Sequence, residues 1–219
     1  MSSAMPTRLV LASNNAKKLA ELQALFAPLG VELVTQGSLG IPEAEEPFDS
    51  FVENALVKAR HAARLSGLPA LADDSGLAVE ALKGAPGVLS ARYAGLFAPA
   101  APEGQVTPRP TDADNNRVLL EQMAAFPLAE QRGARFVCAL VAVQTAADPE
   151  PLIAMGRWQG QILPALSGEG GFGYDPLLFI PRLGRSVAQL SAAEKNALSH
   201  RALAAVDLAR QMREVWHLG

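Results

Sequence analysis

Cysteine is nearly absent: the 219 residues contain only Cys138, which excludes an internal disulfide and any cysteine-pair metal ribbon. Its place in the apolar run Phe136–Val143 fits a packed core thiol better than a nucleophile. That run is the longest clean apolar stretch, far below the roughly 18 residues needed to cross a bilayer. Leu9–Ala12, near the N-terminus, is too short for the apolar region of a secretory signal, so a cytoplasmic protein without membrane attachment is expected. No charge dominates either. Nineteen Lys and Arg against 22 Asp and Glu leave a net charge of −3, and a general electrostatic grip on nucleic acid is not expected. The signatures G-x-x-x-x-G-K-[ST], H-E-x-x-H and G-x-S-x-G are missing, which removes the main support for P-loop, zincin and nucleophile-elbow enzymes. What remains is an ordinary globular composition, 49% apolar and 19% charged.

Leu9–Ala12 reads as a short buried strand, and Ser13-Asn14-Asn15 as the turn that starts a helix carrying Leu19, Leu22, Leu25, Phe26 and Leu29. Val31–Thr35 follows as a strand, then a Pro-flanked loop with Glu43, Glu45 and Glu46. A second helix over about 48–66 places Phe51, Val52, Ala55, Leu56, Ala59, Ala63 and Leu65 on one side. Ala70-Leu71-Ala72 reads as a strand ending in Asp73-Asp74. Residues 97–111 hold four prolines and read as a surface loop within one domain spanning 1–219. A helix around 114–125, strands at 134–143, 152–158 and 177–180, and a closing helix after Ser199 with Leu203, Val206, Met212 and Trp216 inward complete the pattern. Strands interleaved with helices predict α/β. Three late strands without intervening helices predict that part of the sheet is antiparallel, so a mixed central sheet flanked by helices is expected.

Four constellations carry chemistry. The turn Ser13–Lys18 places polar caps and two lysines at a helix start, a setting suited to phosphate. In Asp73-Asp74-Ser75-Gly76, neighbouring residues point to opposite sides, so one aspartate faces a ligand and the other binds backbone or supporting groups. One carboxylate, helped by Glu45 or Glu46, suits Mg²⁺, which takes few protein oxygens together with substrate phosphate. Gly168–Gly173 satisfies G-x-G-x-x-G, but it leads through Pro176 into a strand rather than a helix, so it is not a dinucleotide fingerprint. Its glycines let backbone approach a flat ligand, with Phe172 or Tyr174 placed to stack on a base. Finally, Ser191 and Glu194 have capping-box spacing, and Lys195, His200 and Arg201 gather donors near a helix start.

Leu11–Lys18, Phe51–Ala55, Ala72–Leu77, Gly84–Tyr93, Gly171–Pro176 and Leu198–Arg201 together resemble the inosine triphosphate pyrophosphatase family, in family order. The resemblance implies an α/β fold with two lobes around a nucleotide-binding cleft, a homodimer, and Mg²⁺-dependent hydrolysis of ITP, dITP and XTP to monophosphate and pyrophosphate. By motif, Ser13, Asn14, Asn15, Ala16, Lys17 and Lys18 contact phosphates, and Asp74 is general base and metal ligand. Ser75, Phe172, Gly173, Tyr174, Asp175, Lys195, His200 and Arg201 line the substrate site. The second metal ligand lies in the acidic loop, with Glu45 favoured over Glu43 and Glu46. One departure is Asn14, where the family commonly has glycine, so Asn14 is expected to adopt a backbone shape that glycine takes more readily. A Maf-like pyrophosphatase on pyrimidine or modified nucleotides and a catalytically silent nucleotide-binding module remain the alternatives.

Overall fold

The computed structural model describes residues 7–98 and 108–219. It contains β1 (Thr7–Leu11), α1 (Ala16–Phe26), β2 (Val31–Thr35), α2 (Phe51–Ser66), β3 (Ala70–Val79), α3 (Asp112–Met123), β4 (Gly133–Val143), β5 (Leu152–Ile162), β6 (Leu178–Ile180), β7 (Arg185–Ser186), α4 (Ala192–Leu198) and α5 (His200–Trp216). The strands form one sheet in the order β2-β1-β3-β4-β5-β6-β7. β1 pairs in parallel with β2 and β3, whereas β5/β6 and β6/β7 are antiparallel. The mixed α/β sheet expected from the sequence is therefore observed. No helix among the described residues is long and apolar enough to cross a membrane.

The chain falls into two compact units, residues 1–74, 138–157 and 196–219, and residues 75–137 and 158–195. In the first, strand alternation sorts the core. Leu9 and Leu11 of β1, with Cys138, Leu140 and Ala142 of β4, pack with Leu22 and Phe26 of α1 and Leu208 and Met212 of α5. Val10 and Ala12, with Ala139, Val141 and Val143, pack with Ala55, Ala59 and Ala62 of α2. Helices thus cover both faces, which explains why these strands are almost continuously apolar. Among the described residues of the second unit, the core is built from Leu77, Val79, Tyr93, Leu119, Phe136, Tyr174 and Leu177 among others.

Several expectations change. Asp73-Asp74-Ser75-Gly76 do not end a strand but lie inside β3, which continues to Val79. Leu65, Leu203 and Val206 are exposed rather than inward. The inner stripe of α5 is made by Ala204, Ala205, Leu208, Ala209 and Met212, because small residues let the helix approach the sheet closely. Residues 87–97 form 3₁₀ turns, and residues 99–107, the centre of the proline-rich segment, lie outside the described residues.

Candidate active site

Asn15 caps α1. Its side-chain oxygen accepts from the backbone N–H groups of Lys17 at 3.0 Å and Lys18 at 3.1 Å, and Ser13 Oγ accepts from Asn15 N at 3.2 Å. The turn is exposed apart from half-buried Ser13 and Lys18. Asn14 does not need a glycine conformation: among the described residues, the non-glycine positions with positive φ are Lys83 and His217. Its amide instead donates to Glu43 at 3.3 Å, tying the turn to the acidic loop.

The pleat of β3 separates the two aspartates. Asp73 faces α1 and α5, where it accepts from Lys18 Nζ at 2.6 Å, Arg201 Nε at 2.7 Å and Cys138 Sγ at 3.3 Å. Burial would raise its pKa, but the Arg201 guanidinium and the Lys18 ammonium outweigh this and hold it well below the usual carboxylate value. Burial, with the same carboxylate, pushes the Cys138 thiol up, and Cys138 is a packed core thiol, as expected. Arg201, 1% exposed, also pairs with Glu21.

Asp74 faces α2. Its Oδ1 accepts from Lys58 Nζ at 3.0 Å, while its Oδ2 is buried without a hydrogen-bond partner. Burial raises the Asp74 pKa and Lys58 only partly opposes it, so this carboxyl is more basic than an ordinary aspartate. Lys58 also donates to Glu46 Oε1 at 2.8 Å and to the Asp73 carbonyl at 3.1 Å, which uses all three of its donors. The end of the acidic loop is fixed by Asn54, which exchanges hydrogen bonds with both backbone groups of Phe48 at 2.9 and 3.0 Å. Glu46 is thus the acidic-loop residue joined to Asp74 through Lys58. Glu45 is exposed and, with Glu43, lines a cavity of about 500 Å³.

At the start of α5, Ser199 caps the helix by accepting from Ala202 N at 3.2 Å. His200 is buried, and Gly156 of β5 lies so close that a Cβ there would sit 1.8 Å from the His200 carbonyl oxygen. In the second unit, Asp175 accepts from Phe172 N at 2.9 Å and from buried Lys195 Nζ at 2.8 Å. That ammonium lies 4.4 Å from the centre of the Phe172 ring. Tyr174 is buried and its hydroxyl donates to the Ser90 carbonyl at 2.9 Å, which leaves half-buried Phe172 as the aromatic suited to stacking. Ser75 is half-buried in β3. The glycine-rich stretch leads into β6, not a helix, as its sequence indicated.

The Ham1 family profile matches residues 9–211, which includes every residue of these constellations. The chain belongs to the Ham1 family. It is 62% identical over 214 residues to a dITP/XTP pyrophosphatase of Leptothrix cholodnii, covering 96% of this chain and 99% of the relative. A dITP/XTP pyrophosphatase of Ralstonia nicotianae is 56% identical over 206 residues, 94% of this chain and 96% of that one. The solved HAM1 protein of Coxiella burnetii superposes with a TM-score of 0.82 at 42% identity, over 95% of this chain and 100% of its own. The Staphylococcus aureus Ham1 protein gives 0.79 at 32% identity, over 95% and 99%.

Within the first unit of this Ham1 chain, the predicted residues Lys18 and Arg201 meet at Asp73, the neighbour of Asp74. Phe172, Asp175 and Lys195 meet in the second. The sequence reading missed Lys58, Glu21 and Asn54. Lys58 and Asn54 had a signal: both lie on the apolar side of α2, among Ala55, Ala59 and Ala62, where a polar residue needs a buried partner. Glu21 had none, because its partner Arg201 is remote in sequence.

Proposed function

We propose that this chain hydrolyses ITP, dITP and XTP to the nucleoside monophosphate and pyrophosphate, with Mg²⁺, removing these purines from the nucleotide pool. The carrying observation is Asp74: one oxygen is held by Lys58, the other is buried, unpartnered and raised in basicity. Such a carboxylate is poised to take a proton from an attacking water, and its orientation cannot drift while Lys58 holds Oδ1. The Asp74 carboxylate and, from the acidic loop, the exposed Glu45 would be the protein groups that hold a hard cation. Bound there, Mg²⁺ supplies charge stabilisation for the departing pyrophosphate.

In the first unit, the capped start of α1, residues 13–18, takes the phosphates through backbone N–H groups and the two lysines. Lys18 is oriented by Asp73, and the start of α5 adds His200 to the substrate site together with Arg201, which Asp73 holds in place. In the second unit, Ser75, residues 172–175 and Lys195 serve the base, with Phe172 stacking on it. Hydrogen-bond donors facing the purine 6-position donate to a keto oxygen there and leave the amino group of adenine unpaired, which disfavours ATP. The family resemblance further supports a homodimer in the cytoplasm; light scattering on the purified chain tests the dimer. The deciding assay is Mg²⁺-dependent release of pyrophosphate, rather than orthophosphate, across ITP, XTP, dITP, GTP, ATP and dTTP. Preference for ITP, dITP and XTP is expected. Equal rates on ITP and ATP, or a preference for dTTP, overturn the reading.

A further inference from the structure

Gly173, at the centre of the loop assigned above to the base, is held at both of its backbone groups by α3. Its N–H donates to Asp112 Oδ2 at 2.7 Å, and its carbonyl accepts from Asn116 Nδ2 at 2.9 Å. Asp112 and Asn116 are one helical turn apart, so they project from one face of α3 and grip one residue together. The Asp112 bond is short and charge-assisted, and Asp112 stands in the first turn of the helix, where negative charge is favoured.

The Asn116 amide has only one workable orientation, because a carbonyl oxygen accepts and does not donate; the nitrogen must face Gly173. Its other end, Oδ1, is buried without a hydrogen-bond partner. An apolar side chain at this buried position would avoid that loss, so the asparagine is matched to the loop rather than to packing. Gly173 itself has φ +60°, a conformation that most side chains resist and that does not set the direction of the flanking peptides unaided. With both polar groups of Gly173 fixed, the peptide planes on either side are fixed too. The Phe172 ring is then directed between its bond to Asp175 and the overlying Lys195.

We propose that Asp112 and Asn116 are positioning residues for base recognition: α3 clamps Gly173 and so sets the Phe172 platform and the course of the loop backbone against which the purine is read. This rests on the assignment of the loop to the base. Asp112→Ala is expected to raise KM for ITP about tenfold with kcat within about twofold, and to lower the ITP-over-ATP ratio of kcat/KM about tenfold. Asp112→Asn, whose side-chain oxygen still accepts, is expected to restore most of both. Asn116→Asp, which sets a carboxylate against the Gly173 carbonyl, is expected to behave like Asp112→Ala. Unchanged KM and discrimination in Asp112→Ala overturn the proposal, as does an equal loss in Asp112→Asn. Amide exchange at Gly173 in the nucleotide-free protein separates the two levels: it is expected to be slow in wild type and at least tenfold faster in Asp112→Ala. Fast exchange in wild type rejects the clamp, whereas slow exchange in a protein that releases no pyrophosphate from ITP rejects the functional reading alone.

Discussion

Asp74 and Asp73 are chemically identical neighbours with opposite fates. Alternation along β3 turns one toward Arg201 and Lys18 and the other toward Lys58, and the balance of burial against paired charge then moves their pKa values apart. Asp74→Asn is expected to lower turnover at least about a hundredfold while nucleotide affinity is retained, as rapid-quench and equilibrium binding measure separately. The raised Asp74 pKa places the acid limb of metal-free proton uptake above 3.8, and carboxyl NMR titration should find it there. Adding Mg²⁺ is expected to move that titration to lower pH, because a cation favours the ionised form. Lys58→Met removes the ammonium that opposes burial, so the Asp74 titration should move further upward; a downward shift would refute the assignment.

Elements act here mainly by holding ends in place. The start of α1 depends on one side chain, Asn15, which satisfies two of its N–H groups. Replacing Asn15 with Ala is expected to lower stability by about 1 kcal/mol in denaturant unfolding and to raise KM, since the same helix start is assigned to the phosphates. α5 is seated differently, through the absence of a side chain at Gly156. Gly156→Ala brings a Cβ against the His200 carbonyl and must push the start of α5 away, at a cost of about 1–3 kcal/mol in stability. The exposed positions Leu203 and Val206 on the same helix provide the contrast: serine there should change stability by no more than about 0.5 kcal/mol.

At the scale of the whole molecule, the buried charges of the first unit tie together segments far apart in the chain. Asp73 joins α1 and α5 through Lys18 and Arg201, and Arg201 joins back to Glu21. Removing the carboxylate leaves Arg201 buried beside an incomplete partner set, so Asp73→Ala is expected to destabilise by about 3–5 kcal/mol. Because the folded Asp73 pKa lies well below 3.8, its contribution is complete above the unfolded value and is lost as pH falls toward the folded one. Urea unfolding at pH 3 and pH 6 should therefore show a smaller penalty for Asp73→Ala at the lower pH. The chelator EDTA is expected to stop pyrophosphate release without unfolding the chain, since these ion pairs and the apolar cores involve only protein groups.

Local signals in the sequence determined the strand and helix order, the Asn15 turn, the Ser199 cap and the exclusion of a dinucleotide fingerprint, because each depends on residues within a few positions of one another. The mixed sheet was legible for the same reason, from helices present between the early strands and missing between the late ones. Periodicity misjudged Leu65, Leu203 and Val206, since apolar character alone does not say which stripe of a helix meets the sheet. Only tertiary structure decided that β3 runs on through its carboxylates, that Lys58 lies between Glu46 and Asp74, and that Arg201 is neutralised by Asp73 and Glu21. Those facts are pairings between distant segments, and the free energy of a buried charge depends on which partner the fold brings to it, a quantity no short stretch of chain contains.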